Sequence, residues 1–224
     1  MTEQQHTAPA QKKAAAGPDK FKIVSIFLAI ALIAALVHLF AGAHAHSDSG
    51  GNVVYKNIMQ RASVRDYTTQ SISRETLDTL VRAAMAAPTA KDLRPWKFVV
   101  IDDKEVMATL GNNLPHAEMA AKAAAAICVC GDTAVVDGEG KPSKFWIQDC
   151  SAASENILLC AASMGIGAVW TGITPVQERI DKAAEILNLP DNLIPLNIIY
   201  LGYPKQAPQP KDKYNADNVR YNAW

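Results

Sequence analysis

Two arginines flank one serine in the stretch RASVR, and this arrangement could bind a phosphate group. The residues are Arg61, Ser63 and Arg65. A guanidinium donates two parallel N–H groups to phosphate oxygens, and a serine hydroxyl adds a third donor. A solvated surface turn is the simpler interpretation of any one of these side chains alone. A phosphate site therefore needs support from other parts of the chain.

Three further segments carry groups that suit the same ligand. APTAKDLRPW places Thr89 and Asp92 in a turn between a helix and a strand. The segment GIGAVWTG, residues 165–172, has glycines that let a flat ring approach backbone N–H groups. Lys211 and Lys213 form a second cationic pair near the C-terminus. Each segment also has a purely structural interpretation: a local turn bond, a helix stop before a strand, and a solvated tail.

Hydrophobic periodicity predicts the elements that must position these groups. Residues 53–60 are expected to form a short helix, and Ser73 is expected to cap a second one. Further helices are predicted over 103–110, 117–126, 149–164 and 175–187. Buried strands are predicted over 96–101, 126–130, 165–170 and 197–203. The order is mixed and has no regular βαβ repeat, so we expect an α+β domain with a central sheet covered by helices.

The second helix is predicted to bury one stripe of apolar side chains. The stripe comprises Leu77, Leu80, Val81, Ala84 and Met85. Pro88 closes this helix, and a break at 111–115 is expected to end the next one.

The overall composition is that of an ordinary globular protein. Hydrophobic residues make up 49% of the chain, charged residues make up 20%, and the formal net charge is zero. This balance gives no broad electrostatic case for nucleic-acid binding. Cys128 and Cys130 should share one face of a strand, and Cys150 and Cys160 should lie on different faces of a helix. Buried thiols are expected, although a disulfide stays open for an exported domain.

The four segments, in this order, resemble the nitroreductase-like flavoprotein family over about residues 55–224. RASVR matches the family motif Arg-x-Ser-x-Arg, and APTAKDLRPW is similar to Ala-Pro-Ser-Ala-x-Asn-x-Gln-Pro-Trp. WIQDCSAASENILLCAASMGIGAVWTG resembles the long dimer helix with its flavin-ring loop, and GYPKQAPQPKDKY resembles a Gly-Tyr-Pro stretch with a closing basic residue. The resemblance implies a central mixed or antiparallel sheet and a homodimer with FMN in two interface sites. The C-terminal extension would reach the partner subunit.

The resemblance also implies which residues bind FMN: Arg61, Ser63, Arg65, Pro88, Thr89, Asp92, Trp170, Thr171, Gly172, Lys211 and Lys213. The phosphate would lie against Arg61, Ser63 and the two lysines, and Arg65 would face N1 and the C2 carbonyl. Pro88 and Thr89 would line the ring. A backbone amide of residues 170–172 would face O4 or N5 from the other side. No side chain is assigned as catalytic, because N5 of the flavin carries the hydride.

Three positions depart from the family pattern. Asp92 stands where asparagine is common, and Arg94 stands where glutamine is common. An ionised aspartate cannot donate a hydrogen bond, so Asp92 is expected either to change the ring contacts or to pair with Arg94. Lys213 replaces the usual arginine with a point charge.

The resemblance implies a two-step exchange of hydride. A donor, NAD(P)H by default, reduces the flavin and leaves, and a nitroaromatic, quinone or similar acceptor then enters. One alternative is a membrane-anchored reductive dehalogenase. Its lid would correspond to residues 131–144, which lack a convincing Glu–Tyr–Lys set. Another alternative is a flavin-binding protein without enzymatic activity.

The N-terminal region predicts export or membrane anchoring. Residues 1–22 are expected to be disordered, 23–43 to form a transmembrane anchor or signal sequence, 44–52 to form a linker and 53–224 to form the domain. Four lysines precede the apolar run and none follows before Lys56, which places the domain outside the cytoplasm on the periplasmic side. Cleavage near Ala45 is the alternative. NAD(P)H is absent from that compartment, so the physiological donor stays open.

Overall fold

The computed structural model describes residues 31–33 and 52–224. Residues 31–33 are helical. The rest of the predicted anchor over 23–43, the predicted tail over 1–22 and most of the predicted linker lie outside the described residues. Within the described ranges, no helix combines the length and the apolar character needed to span a bilayer. Val53–Trp224 form one compact unit.

The described residues 52–224 contain five helices and four strands. The helices are α1 (52–60), α2 (Arg74–Met85), α3 (Lys104–Asn113), α4 (Trp146–Ser163) and α5 (Gln177–Leu187). The strands are β1 (Trp96–Ile101), β2 (Ala125–Asp132), β3 (Gly167–Gly172) and β4 (Leu193–Gly202). Short 3₁₀ turns occupy Ala90–Asp92, Glu118–Lys122 and Ala216–Asn218.

The four strands form one antiparallel sheet in the order β1-β2-β4-β3. The strands β2 and β4 lie at the centre, and β2 is buried along its whole length. The predicted α+β fold with a central antiparallel sheet is thus confirmed. The strand β1 was predicted to be buried, but it lies at an edge and Val100 is 39% exposed.

Helices cover both faces of the sheet. One core lies between the sheet and α3 with α5, and the other lies between the sheet and α2 with α4. The two-residue alternation of β2 sends Cys128 and Cys130 to the first core, where their Sγ atoms lie 3.6 Å apart. Cys150 is buried in the second core, and Cys160 is partly exposed. All four thiols are free.

Side-chain caps define the starts of α2 and α3. The Ser73 hydroxyl accepts a hydrogen bond from the Thr76 N–H at 3.2 Å, as the sequence predicts. The Asp103 carboxylate accepts from two backbone N–H groups at the start of α3. Leu77, Leu80 and Ala84 of α2 are buried, whereas Met85 at its end is exposed.

Several predicted boundaries were wrong, including those of β2, β3 and β4. The alanine-rich stretch 117–126 forms only a 3₁₀ turn, because Ala125 and Ala126 pair with β4 in the buried centre of the sheet. Tertiary pairing there outweighs the helix propensity of alanine. The helix α3 continues through Gly111 to Asn113, α4 begins at Trp146, and α5 begins at Gln177 rather than Pro175.

Candidate functional site

The RASVR segment runs along the free edge of β3. The Val64 N–H donates to the Ala168 carbonyl at 3.0 Å, and Ser63 pairs with Ala168 in a parallel bridge. A Cβ on Gly167 would lie 2.8 Å from the Val64 side chain, so this close approach requires glycine. Because the segment is extended, Val64 points into the core while Ser63 and Arg65 are exposed. The motif therefore presents its polar residues on one side.

Tyr67 fixes the end of this segment. Its hydroxyl lies 2.6 Å from the Val64 carbonyl and 3.2 Å from the Tyr200 carbonyl. Its ring covers Gly202, where a Cβ would lie 2.7 Å from the ring. Burial raises the pKa of Tyr67, so the hydroxyl stays protonated and donates. Tyr67 was not predicted as a site residue, although it lies two residues beyond Arg65.

Arg61 and the two C-terminal lysines line one cavity of about 550 Å³, which we call the cationic cavity. Its charged lining residues are Arg61, Lys211, Lys213, Glu155 and Asp212. Three positive and two negative charges leave a net charge of +1. The Arg61 Nε lies 3.5 Å from Glu155 Oε1, so a bound anion would share Arg61 with this carboxylate. Three of the four residues predicted to bind a phosphate thus line one cavity of a single chain, whereas Ser63 does not line it.

A strained turn, residues 88–94, contains the second predicted group. Lys91, Asp92 and Arg94 all have φ between 52° and 55°, a region that costs energy for residues with a Cβ. Arg94 donates two hydrogen bonds to Asp92, at 2.7 and 2.6 Å. The pairing of Asp92 with Arg94, one of the two alternatives predicted for this residue, is therefore present. The Thr89 hydroxyl accepts from the Arg94 N–H at 3.2 Å, which is the local turn bond considered above.

The charge state of Asp92 follows from this pair. The hydrogen bonds from Arg94 hold the pKa of Asp92 below its usual value. Asp92 is therefore ionised at neutral pH and can only accept hydrogen bonds. The family's asparagine, in contrast, could donate one.

The helix α4 contacts both the strained turn and Arg61 of the cationic cavity. Asp149 is buried, and its Oδ1 accepts from the Ala90 N–H at 3.0 Å. Further along α4, Glu155 contacts Arg61, and the Leu159 carbonyl accepts from Asn57 Nδ2 at 2.9 Å. Asp149 and Glu155 are six residues apart, which corresponds to about 9 Å along the helix axis. The turn and the cationic cavity therefore lie at different levels of α4.

The third predicted group, Trp170, Thr171 and Gly172, lies at the end of β3. Thr171 is buried, and Trp170 packs partly against the core beneath α2 and α4. The Gly172 carbonyl accepts from Arg179 Nη1 at 3.1 Å. No heavy atom outside the adjacent residues lies within 4 Å of a Cβ built on Gly172, so space is open beside it.

The glycines before β3 have structural roles. Gly165 ends α4 with a left-handed φ of 70°, so the helix-stop interpretation holds for it. Gly167 makes room for Val64.

An antiparallel sheet between two helical layers, with an arginine-bearing segment on its edge, defines a nitroreductase-like fold. The sequence profile of the nitroreductase family matches residues 58–127 and 112–203, and a relative described below is 37% identical. The chain belongs to the nitroreductase family.

Three similar proteins illustrate the relationship. A protein of Methanothermobacter thermautotrophicus, provisionally named NADH dehydrogenase/NAD(P)H nitroreductase, is 37% identical over 76% of this chain and 87% of its own length. A Parabacteroides distasonis structure with the same provisional name is 44% identical, covers 76% of this chain and 98% of that chain, and has a TM-score of 0.72. A provisionally named nitroreductase of Desulfovibrio desulfuricans, solved in complex with FMN, is 28% identical and has a TM-score of 0.64. The match covers 76% of this chain and 97% of that chain.

Proposed function

We propose that the protein works as a homodimer that carries hydride in two steps, from a reduced donor to nitroaromatic, quinone or similar acceptors. The enzyme class, an FMN-dependent oxidoreductase, follows from the family. NAD(P)H is the default donor. The observation that carries the proposal is the grouping of Arg61, Lys211 and Lys213 around the cationic cavity.

The donor set of this cavity fits the phosphate of FMN. Arg61 offers a planar pair of N–H donors, and the two lysines offer mobile ammonium groups. The Ser63 hydroxyl is exposed on the same segment but does not line the cavity, and it would add a donor from beside it. When bound, FMN supplies a hydride carrier at N5. The residues of the chain bind and orient it.

Arg65 is the residue we assign to the N1 side of the ring. It is exposed next to Ser63, and its neighbour Tyr67 holds the segment against the sheet. A fixed positive charge beside N1 favours the anion that reduction produces. The segments at Thr89 and Gly172 would form the walls of the ring site.

A second copy of the chain would complete the site. Arg61 lines the cationic cavity, whereas Ala90 and Lys91 of the turn line a different cavity. Large apolar side chains are also exposed on α1 and on the C-terminal tail, with Tyr55 63%, Tyr221 88% and Trp224 87% exposed. Exposed apolar surface of this kind is typical of interfaces.

The location outside the cytoplasm is also a proposal. It rests on the uncharged run over 23–40 and on the lysines before it. A carboxyl-terminal alkaline phosphatase fusion, which is active only when exported, would test the orientation. An inactive fusion would reverse the assignment and remove the conflict over NAD(P)H.

The function is tested by the absorbance spectrum of the purified full-length protein. We expect a yellow protein whose flavin absorbance is bleached by NADH, NADPH or dithionite and restored by an acceptor. Arg61→Ala should weaken FMN binding about 10- to 100-fold, the range for a hydrogen bond to a charged group. Bleaching by dithionite alone would indicate another natural donor. A protein that stays colourless with excess FMN would contradict the proposal.

A further inference from the structure

A separate cavity of about 230 Å³ lies between the strained turn and the segment that leads into α4. We call it the α4 cavity. Its charged lining residues are Lys91, Lys141, Lys144, Asp137 and Glu139. Ser143 and Phe145 complete the wall nearest the helix. The cavity therefore combines several ammonium groups, a hydroxyl and an aromatic ring in a small space.

The start of α4 adds a positive electrostatic potential to this cavity. This helix has 18 residues, and no side chain caps its first turn. The first N–H groups of a helix have no partner within it, and the helix dipole places about half a positive charge there. Uncapped helix starts of this kind bind anions.

A second observation points to a ligand at the same place. Ser143 is only 6% exposed, and its Oγ has no hydrogen-bond partner among the described residues. Burying an unpaired hydroxyl costs free energy, so such groups usually have a partner. A ligand oxygen in the α4 cavity would supply that partner.

The balance of charges leaves one lysine free to bind. The Lys91 Nζ lies 3.6 Å from Asp137 Oδ2, and the Lys141 Nζ lies 3.0 Å from Glu139 Oε2. Lys144 forms no salt bridge in the described part of the chain. Asp149 lies in the first turn of α4 and opposes this positive potential. Its Oδ1 accepts from the N–H of Ala90, which lines the cavity, whereas the Asp149 side chain does not line it. The net charge of the lining is +1.

We propose that the α4 cavity binds the anionic substituent of the aromatic acceptor, with a carboxylate as the group it fits. Lys144, the Ser143 hydroxyl and the start of α4 would bind the carboxylate, and Phe145, which is 55% exposed, would pack against the aromatic ring. This inference rests on the proposed function, because Ala90 and Lys91 belong to the turn assigned to the flavin ring. It assigns a substrate class, namely acceptors that carry a carboxylate.

The test compares 4-nitrobenzoate with the neutral 4-nitrobenzamide on the FMN-loaded full-length protein. Lys144→Gln should lower kcat/KM for nitrobenzoate about 1.5- to fivefold, the range for an exposed charge contact, and leave nitrobenzamide unchanged. The matched control is Lys182→Gln, which removes the same charge from an exposed ion pair on α5. The control should change neither substrate. Equal effects of Lys144→Gln on both substrates would overturn the inference.

Binding without turnover provides an independent readout. Titration of the oxidised protein with nitrobenzoate should perturb the flavin absorbance at lower concentration than titration with nitrobenzamide. Ser143→Ala should weaken nitrobenzoate binding while leaving the thermal midpoint unchanged or raised, because it removes a buried unpaired hydroxyl. A variant that binds nitrobenzoate as well as the wild type would contradict the role of Ser143.

The two proposals fail in different ways. If neither aromatic is reduced by dithionite-reduced protein, the proposed function fails. If both are reduced and Lys144→Gln leaves the ratio of their kcat/KM values unchanged, only the α4-cavity inference fails. The choice of donor provides a further test. If Lys144→Gln lowered the activity with NADPH but not with NADH, the cavity would be assigned to the 2′-phosphate of NADPH. The acceptor assignment would then be rejected.

Discussion

The carboxylate of Asp149 accepts a hydrogen bond from the backbone N–H of Ala90, 59 residues earlier in the chain, at 3.0 Å. This contact joins the buried Asp149, in the first turn of α4, to a turn with three residues at positive φ. Because such a conformation is costly for these residues, the surrounding structure must stabilise it. Asp149 is the described side chain that bonds the Ala90 N–H.

Asp149→Ala should destabilise the protein by about 1–3 kcal/mol, because it leaves the Ala90 N–H without a partner. Asp149→Asn keeps an acceptor oxygen and should cost less. Urea unfolding of the FMN-free protein measures both changes, and the alanine variant should also bind FMN more weakly. If both variants lost the same stability, the carboxylate charge rather than the hydrogen bond would be responsible.

Tyr67→Phe should cost about 1 kcal/mol, since it removes the hydroxyl bond to the Val64 carbonyl and keeps the ring over Gly202. The RASVR segment should then hold FMN less firmly. Thermal unfolding and an FMN titration would measure the two effects. The exposed Tyr221→Phe is the control and should change neither. Wild-type FMN affinity in Tyr67→Phe would show that the segment does not depend on this bond.

Asp92→Asn should tighten FMN binding about three- to tenfold, the range of one neutral hydrogen bond. The asparagine amide can donate to a flavin carbonyl, whereas the ionised carboxylate held by Arg94 cannot. Fluorescence titration of the FMN-free protein measures the dissociation constant. Arg94→Gln, which breaks the pair without adding a donor at position 92, is the comparison. Unchanged binding by Asp92→Asn would place residue 92 away from the ring.

Arg65→Ala should lower the reduction potential of the bound flavin, because it removes the positive charge assigned to the N1 side. Equilibration with a reference dye measures the potential. Arg65→Lys keeps the charge and should restore most of the difference. An unchanged potential at full FMN occupancy would reject this role for Arg65.

Stability should fall in alkaline solution. Burial raises the pKa of the Cys150 thiol to about 12, whereas an unfolded cysteine ionises near pH 8.5. Between these values the unfolded chain binds fewer protons than the folded one, so the unfolding free energy decreases as pH rises. Burial also raises the pKa of Tyr200, which adds to the decrease above pH 10.

The urea midpoint measured from pH 8 to pH 11 checks this expectation. Cys150→Ala should show a shallower decline, because it removes one of the titrating groups. Cys160→Ala, at a partly exposed position, is the comparison and should stay closer to the wild type. A decline as steep in Cys150→Ala as in the wild type would exclude Cys150 as a contributor.

The sheet could be predicted from the sequence because its strands carry strong local signals. WKFVVI has the predicted bounds of β1, and the alternation around Cys128 and Cys130 gave their shared face. The helix predicted over 117–126 was wrong because the alanines favour a helix locally, while the buried sheet position requires small side chains. Local propensity contains no information about that competition.

The candidate site was only partly accessible from the sequence. Arg61, Lys211 and Lys213 could be grouped because their residue types fit one ligand. Asp149 and Arg179 were missed, since each acts through one hydrogen bond to the backbone of a distant or separate segment. A hydrogen bond between residues 59 positions apart leaves no periodic pattern in the sequence. The α4 cavity was missed for the same reason, as its lining comes from two separate segments.

The bridge between Ser63 and Ala168 has a consequence for solubility. An uncovered edge strand is a template on which another molecule can add a strand, and β3 ends the sheet. The extended backbone of Ser63 and Val64 covers this edge of the sheet. If the RASVR segment detached, the edge would be open to strand addition by another molecule. Loss of FMN and precipitation of the protein would then occur together.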